Sequence, residues 1–231
     1  MKKLPLLLVA AFALFFFSSC TKDATTVAPV SKHRASIMFV NGCSGAATVN
    51  PYFSGKAVTG VSSVNLFSNS GYVYVDLDTL YPATPIAFNR SGGTLASTSY
   101  VCHDDVHYSA FAGGTTTAPT ISFVEDIFSG GSGSNAHLRF VNLTGDVNNV
   151  TFKVENDIIF SAIDPAQVTA FTEVSAGEKT FTVYDPDHFD ASQRIYALRK
   201  LEAGKFYTVI YTGLLDGAGS NYLQLTQITN L

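Results

Sequence analysis

Tryptophan is absent from the 231 residues, and cysteine occurs only three times. Without an indole the chain lacks the side chain with the largest stacking area, which weakens a carbohydrate platform, and it lacks the buried Trp of antibody-type domains. Basic residues are scarce too, 14 Lys and Arg against 18 Asp and Glu. No basic stripe interleaved with aromatics occurs, which argues against nucleic acid, because phosphate backbones are held by such clusters. The apolar run from Leu4 to Phe17 covers 14 positions and contains Pro5, whereas a helix needs roughly 20 apolar residues to cross a bilayer. Helical periodicity is nearly absent, with at most one turn at Pro165-Ala-Gln167. Two catalytic designs fall with it: a Gly-x-Ser-x-Gly elbow and a glycine-rich phosphate cradle both need a helix to follow the turn.

What the chain does have begins at its start. Two lysines, the apolar run and small residues before Cys20 form the layout of a secretory signal over residues 1–19. Phe17-Ser-Ser-Cys20-Thr21 resembles a bacterial lipoprotein signal, of the Bacteroidetes type in tolerating Phe17. That resemblance implies lipidation of Cys20 and an address at the cell envelope as an outer membrane lipoprotein. Residues 20–34 then read as the lipidated cysteine and a flexible tether rich in Thr, Ala, Val and Pro. Removing Lys2 and Lys3 leaves 12 basic residues against 18 acidic ones, a net charge of -6. Membrane attachment therefore rests on the Cys20 lipid rather than on charge.

Two stretches 101 positions apart say nearly the same thing: Ala35-Ser-Ile-Met-Phe-Val-Asn41 and Ala136-His-Leu-Arg-Phe-Val-Asn142. Each alternates polar and apolar residues before Phe-Val-Asn and reads as a half-buried strand that opens a domain. Seven short strands follow from the alternation and turn residues of the first copy, at 35–41, 48–54, 72–77, 86–89, 94–101, 106–112 and 120–127. The second copy gives seven more, at 136–142, 147–155, 168–174, 178–184, 194–201, 206–212 and 222–229. The predicted fold is all-β, two tandem immunoglobulin-like β-sandwich domains at 35–128 and 136–231, joined by a Gly/Ser linker at 129–135.

Leu138-Arg-Phe-Val-Asn142, Val150-Thr-Phe-Lys-Val154, Val174-Ser-Ala-Gly-Glu-Lys-Thr-Phe-Thr-Val183 and Leu201-Glu-Ala-Gly-Lys-Phe-Tyr-Thr-Val-Ile210 together resemble the domain-of-unknown-function 4397 family of bacterial surface lipoproteins. The resemblance implies a β-sandwich on a cell envelope and carries no catalytic residues. In the first copy Cys102-His-Asp-Asp105 stands where the second has Glu202-Ala-Gly-Lys205.

Candidate sites are few. With Cys20 assigned to lipid, Cys43 and Cys102 form an even pair in an oxidising compartment, and a disulfide is their simplest use. In an up-and-down strand count both loops lie at the same end. The rival is a Cys-His metal site with His103 and His107. The cluster His103, Asp104, Asp105 and His107 could also serve a metal-dependent enzyme, although a solvated turn accounts for it better. Asp185, Asp187 and Asp190 offer three carboxylates within six positions, a calcium-type supply of oxygens. Tyr72, Tyr74 and Tyr81 make a candidate exposed binding face. Asp78-Thr79-Leu80 resembles an O-glycosylation signal at Thr79. The expected function is a non-enzymatic envelope lipoprotein, without cofactor, whose two sandwiches serve a structural or adhesion-type binding role toward a protein or glycan. The alternative is a glycan-binding accessory of a nutrient-uptake system.

Overall fold

The computed structural model describes residues 32–78, 80, 82–130, 133–185 and 195–230. Cys20, Thr79, Tyr81, Asp187 and Asp190 lie outside the described residues. Alternating apolar residues and glycine-bearing turns produce strands throughout. In the first module these are β1 (Arg34–Asn41), β2 (Thr48–Phe53), β3 (Lys56–Ala57), β4 (Val64–Asn65), β5 (Ser68–Asp76), β6 (Thr84–Arg90), β7 (Gly93–Tyr100), β8 (His107–Gly114) and β9 (Pro119–Glu125). The second module has β10 (Asn135–Asn142), β11 (Val150–Val154), β12 (Asp157–Ile163), β13 (Thr172–Ser175), β14 (Gly177–Tyr184), β15 (Ile195–Leu201), β16 (Phe206–Thr212) and β17 (Gln224–Thr229).

Each module is a pair of sheets with the same strand order. The first pairs β5-β1-β8-β9 with β3-β2-β6-β7; the second pairs β13-β10-β16-β17 with β12-β11-β14-β15. In both, the opening strand runs parallel to the penultimate one, with Ser36 opposite His107 and His137 opposite Phe206. An immunoglobulin constant-type domain instead groups its first, second, fifth and fourth strands in one sheet. The sandwich class is as expected, and the parallel pair sets this order apart. β12 escaped the sequence reading because Asp157-Ile-Ile-Phe-Ser-Ala-Ile163 does not alternate, and its pairing with β11 is interrupted by register shifts.

Between the sheets of each module lies an apolar core. Phe39 meets Phe88 edge-on at 5.9 Å in the first, and Phe140 stacks on Phe152 at 4.8 Å in the second. A third cluster lies between the modules, where Met38, Val40 and Phe111 pack against Val141, Leu143, Ile210 and Ile228. The sheets containing β1 and β10 thus bury both faces, the inner against their own partner sheet and the outer against each other. This corrects the expectation of half-buried opening strands: β1, β8, β10 and β16 are buried along nearly their whole length. Residues 32–231 form one compact unit.

Glycines at the end of β8 make the close approach feasible. A side chain at Gly113 would sit 2.8 Å from Thr120 Oγ1 and 3.2 Å from the Cα of Leu143, so the strand reaches Leu143 only without one. Gly114 N then donates to Leu143 O at 3.0 Å. Gly113 and Gly114 are strand residues at the module junction.

Candidate functional site: the buried junction and the groove beside Tyr74

Asn41 and Asn142 close the two opening strands and do the same work. Asn41 Nδ2 donates to Ala46 O at 2.9 Å and Val64 O at 3.2 Å; Asn142 Nδ2 donates to Val147 O at 2.9 Å and Ile163 O at 3.1 Å. Their Oδ1 atoms accept from Cys43 N and Thr144 N. Both asparagines are fully buried, and an amide is the side chain that can donate twice and accept at once in one place. Tyr108 and Tyr207 repeat another device, their hydroxyls accepting from the backbone N–H of His103 at 3.0 Å and Glu202 at 3.1 Å. The internal repeat therefore extends to individual hydrogen bonds.

The junction holds the densest buried polar network of the described residues. Arg139, on β10, pairs through Nη1 with Asp126, which follows β9. Arg139 Nε donates to Thr208 Oγ1 at 2.8 Å, and Nη2 to Ser109 Oγ at 2.8 Å. Asp126 also accepts from Ser109 Oγ at 2.6 Å and from the Tyr72 hydroxyl, which in turn accepts from Asn230 Nδ2 at 3.0 Å. Phe111 and Phe171 cover the guanidinium, 5.3 Å and 4.6 Å from ring centre to Cζ. The side chains of Arg139 and Asp126 are 2% and 0% exposed. Burial first, then the adjacent Asp126 carboxylate, pushes the Tyr72 hydroxyl well above the ordinary phenol range.

Asp126 and Asn230 occupy equivalent places, since the backbone N–H of each bonds the first residue of its neighbouring strand, His107 O and Phe206 O, both at 2.8 Å. Met38 is the counterpart of Arg139 at the 101-residue offset. The network is thus the point where two nearly equivalent faces differ, carrying one charge of each sign. Sequence reasoning missed it. Its one legible signal was an arginine inside the apolar run of β10, where charge is rarely buried unless paired.

The sequence-predicted sites separate. Tyr72 is half-buried in the junction, which corrects its assignment to an exposed face; Tyr74 is 69% exposed. Tyr74 borders a groove of about 440 Å³ at the edge of the first module. Asp104 accepts from Arg34 N at 2.6 Å and pairs with His33 Nδ1 at 2.8 Å. Those bonds, the backbone one foremost, hold its carboxyl below the usual carboxylate range. His107 packs edge-on against Tyr72 at 5.2 Å and Phe128 at 5.6 Å. No group of three His, Cys, Asp or Glu able to hold a metal occurs among the described residues. Asp185 is buried and lies near Tyr211, whose hydroxyl is pushed up by burial first and by Asp185 and Asp146 second.

The expected disulfide is not formed: Cys43 and Cys102 are free and buried. The cause is the parallel pairing of β1 with β8. Cys43 follows β1 at the level of Gly114, whereas Cys102 precedes His107, so the two lie on the order of 20 Å apart along the sandwich at about 3.3 Å per residue. A disulfide tolerates at most about 7 Å between Cα atoms. Burial pushes Cys43 up to about 11, against the opposing pull of Arg90, and Cys102 up to about 12. At pH 8 the thiol-disulfide reagent of an Ellman assay is therefore expected to react with the folded chain at least ~100-fold more slowly than with the denatured chain, since only thiolate attacks. Denaturant without reductant should release both thiols. The stability they contribute is present below the unfolded thiol pKa and is lost as pH rises through the two folded values, so an alkaline unfolding series should steepen above pH 9.

Fold and junction together define a class: a chain of two fused β-sandwiches, each with a parallel strand pair, locked by a buried polar clasp. Residues 136–230, the second module, match the family described as Domain of unknown function (DUF4397). No curated protein matches the chain.

Proposed function

We propose that this chain is a non-enzymatic lipoprotein of the cell envelope, tethered to the outer membrane by lipid on Cys20, whose fused sandwiches present one rigid binding or structural body. The observation that carries this reading is the junction. The third apolar cluster and the Arg139–Asp126 clasp bind two modules into a single unit, which suits a protein that presents surface in fixed geometry. The candidate acid-base residues also have structural partners: Asp104 bonds the start of β1 and His107 packs on aromatic rings.

The test is labelling and fractionation. In cells fed a radiolabelled fatty acid, the wild-type chain should carry label and sediment with outer membranes, and Cys20→Ala should lose both. An unlabelled wild-type chain, or a hydrolase screen in which turnover vanishes on one substitution, would sink the reading. A glycan-binding role is a second reading, favoured by the exposed Tyr74 beside its groove.

A further inference from the structure

The groove beside Tyr74 opens between the edge strand β5 and the hairpin that carries β3. Its apolar wall comes from Phe53, Val58 and Val75, and its rim carries Arg34, Lys56 and Tyr74. Its counterpart in the second module is built differently, because β12 runs seven residues where β3 has two. The shortened strand leaves one side of the first module's sandwich edge open.

Three observations narrow the occupant. Tyr74 holds a flat ring out to solvent at 69% exposure, and such a ring offers an apolar face with a polar tip, the shape that stacks on a sugar ring. The lining has two cations and one carboxylate, Asp76, in a chain whose net charge is -4. Asp76 is already neutralised, by Arg34 Nε at 2.8 Å and Lys32 Nζ at 3.6 Å. Arg34 bonds Asp76 through Nε, and its terminal nitrogens make no hydrogen bond among the described residues, so they can fork onto a carboxylate; Lys56 makes no salt bridge among the described residues. Finally, β5 contributes only Tyr74, Val75 and Asp76 of its nine residues to the groove. The groove is therefore short along the strand, and a compact ligand fits its cavity of about 440 Å³ better than a long extended peptide.

We infer that this groove is a binding site for an acidic oligosaccharide, with Tyr74 stacking on one ring and Arg34 and Lys56 holding its carboxylate. The inference rests on the reading of the chain as a binding protein and names its ligand class. The mature chain, kept in detergent, is to be titrated with uronate and sialate oligosaccharides, with the matching neutral or methyl-esterified sugars, and with a glutamate-rich peptide. Acidic sugars should bind, less tightly as salt rises; Tyr74→Ala should weaken them about 10-fold and Lys56→Gln about 3-fold, with no change in melting temperature, since both side chains are exposed. No binding of any acidic sugar overturns the inference, as does equal affinity for the glutamate-rich peptide. Equal binding of neutral sugars overturns the acidic class while leaving the glycan-binding reading intact. Undiminished affinity in both variants overturns the placement in this groove.

Discussion

Asp126→Ala is expected to destabilise the chain by about 3–5 kcal/mol, because it strands the Arg139 guanidinium in a site closed to water. The guanidinium would keep Thr208 and Ser109 as acceptors but lose its counter-charge, and the Tyr72 hydroxyl would lose its acceptor. Urea unfolding of the variant should show the loss directly. Protease should also cut nearer the junction, because the modules share the cluster around Met38, Phe111 and Ile210. The pair can be removed together. Arg139→Met with Asp126→Asn converts each position to the residue at its counterpart, Met38 and Asn230, and this double variant should recover to within about 2 kcal/mol of wild type, since a paired buried charge contributes little net stability over a packed neutral substitute. A double variant as unstable as Asp126→Ala would show that the charges themselves hold the modules together.

Asn142→Ala should cost about 3 kcal/mol, from four hydrogen bonds lost at once in a buried site, although Thr144 Oγ1 and Val147 O keep each other at 3.2 Å. Val147 O and Ile163 O lose a donor, while Thr144 N and Oγ1 lose an acceptor. Asn41→Ala should cost less, because its Oδ1 accepts from the Cys43 backbone where Asn142 also holds a threonine hydroxyl. Denaturation midpoints of the two variants measure the difference. Asp in place of Asn142 should be no better than alanine, since a carboxylate cannot donate to the two carbonyls. If the asparagines only filled space, leucine would restore stability, and it should not.

Much of the architecture was legible because its causes are local. Alternation in Tyr72-Val-Tyr-Val-Asp-Leu77 put Val73, Val75 and Leu77 on one face, and that face packs on the first core. The repeat of Phe-Val-Asn marked strands that hold equivalent places in two sheets of identical order. The family match of residues 136–230 was legible too, on residues spread through four strands. The candidate sites were less so. Tyr72 and Tyr74 are indistinguishable by alternation, yet one turns into the junction and the other into solvent, because only part of that sheet face is covered by the second module.

The sequence by itself determined what depends on near neighbours: strand identity, the two-copy plan, and the side chains that fill each module's own core. Only the tertiary structure decided that β1 runs parallel to β8, and hence that Cys43 and Cys102 stand at opposite ends. It also decided that Arg139, Asp126, Tyr72 and Asn230 meet. The physical reason is common to both. Periodicity along a chain reports which face of a strand is apolar, but which sheet then covers that face is settled by contacts between residues far apart in sequence, and no local pattern encodes them.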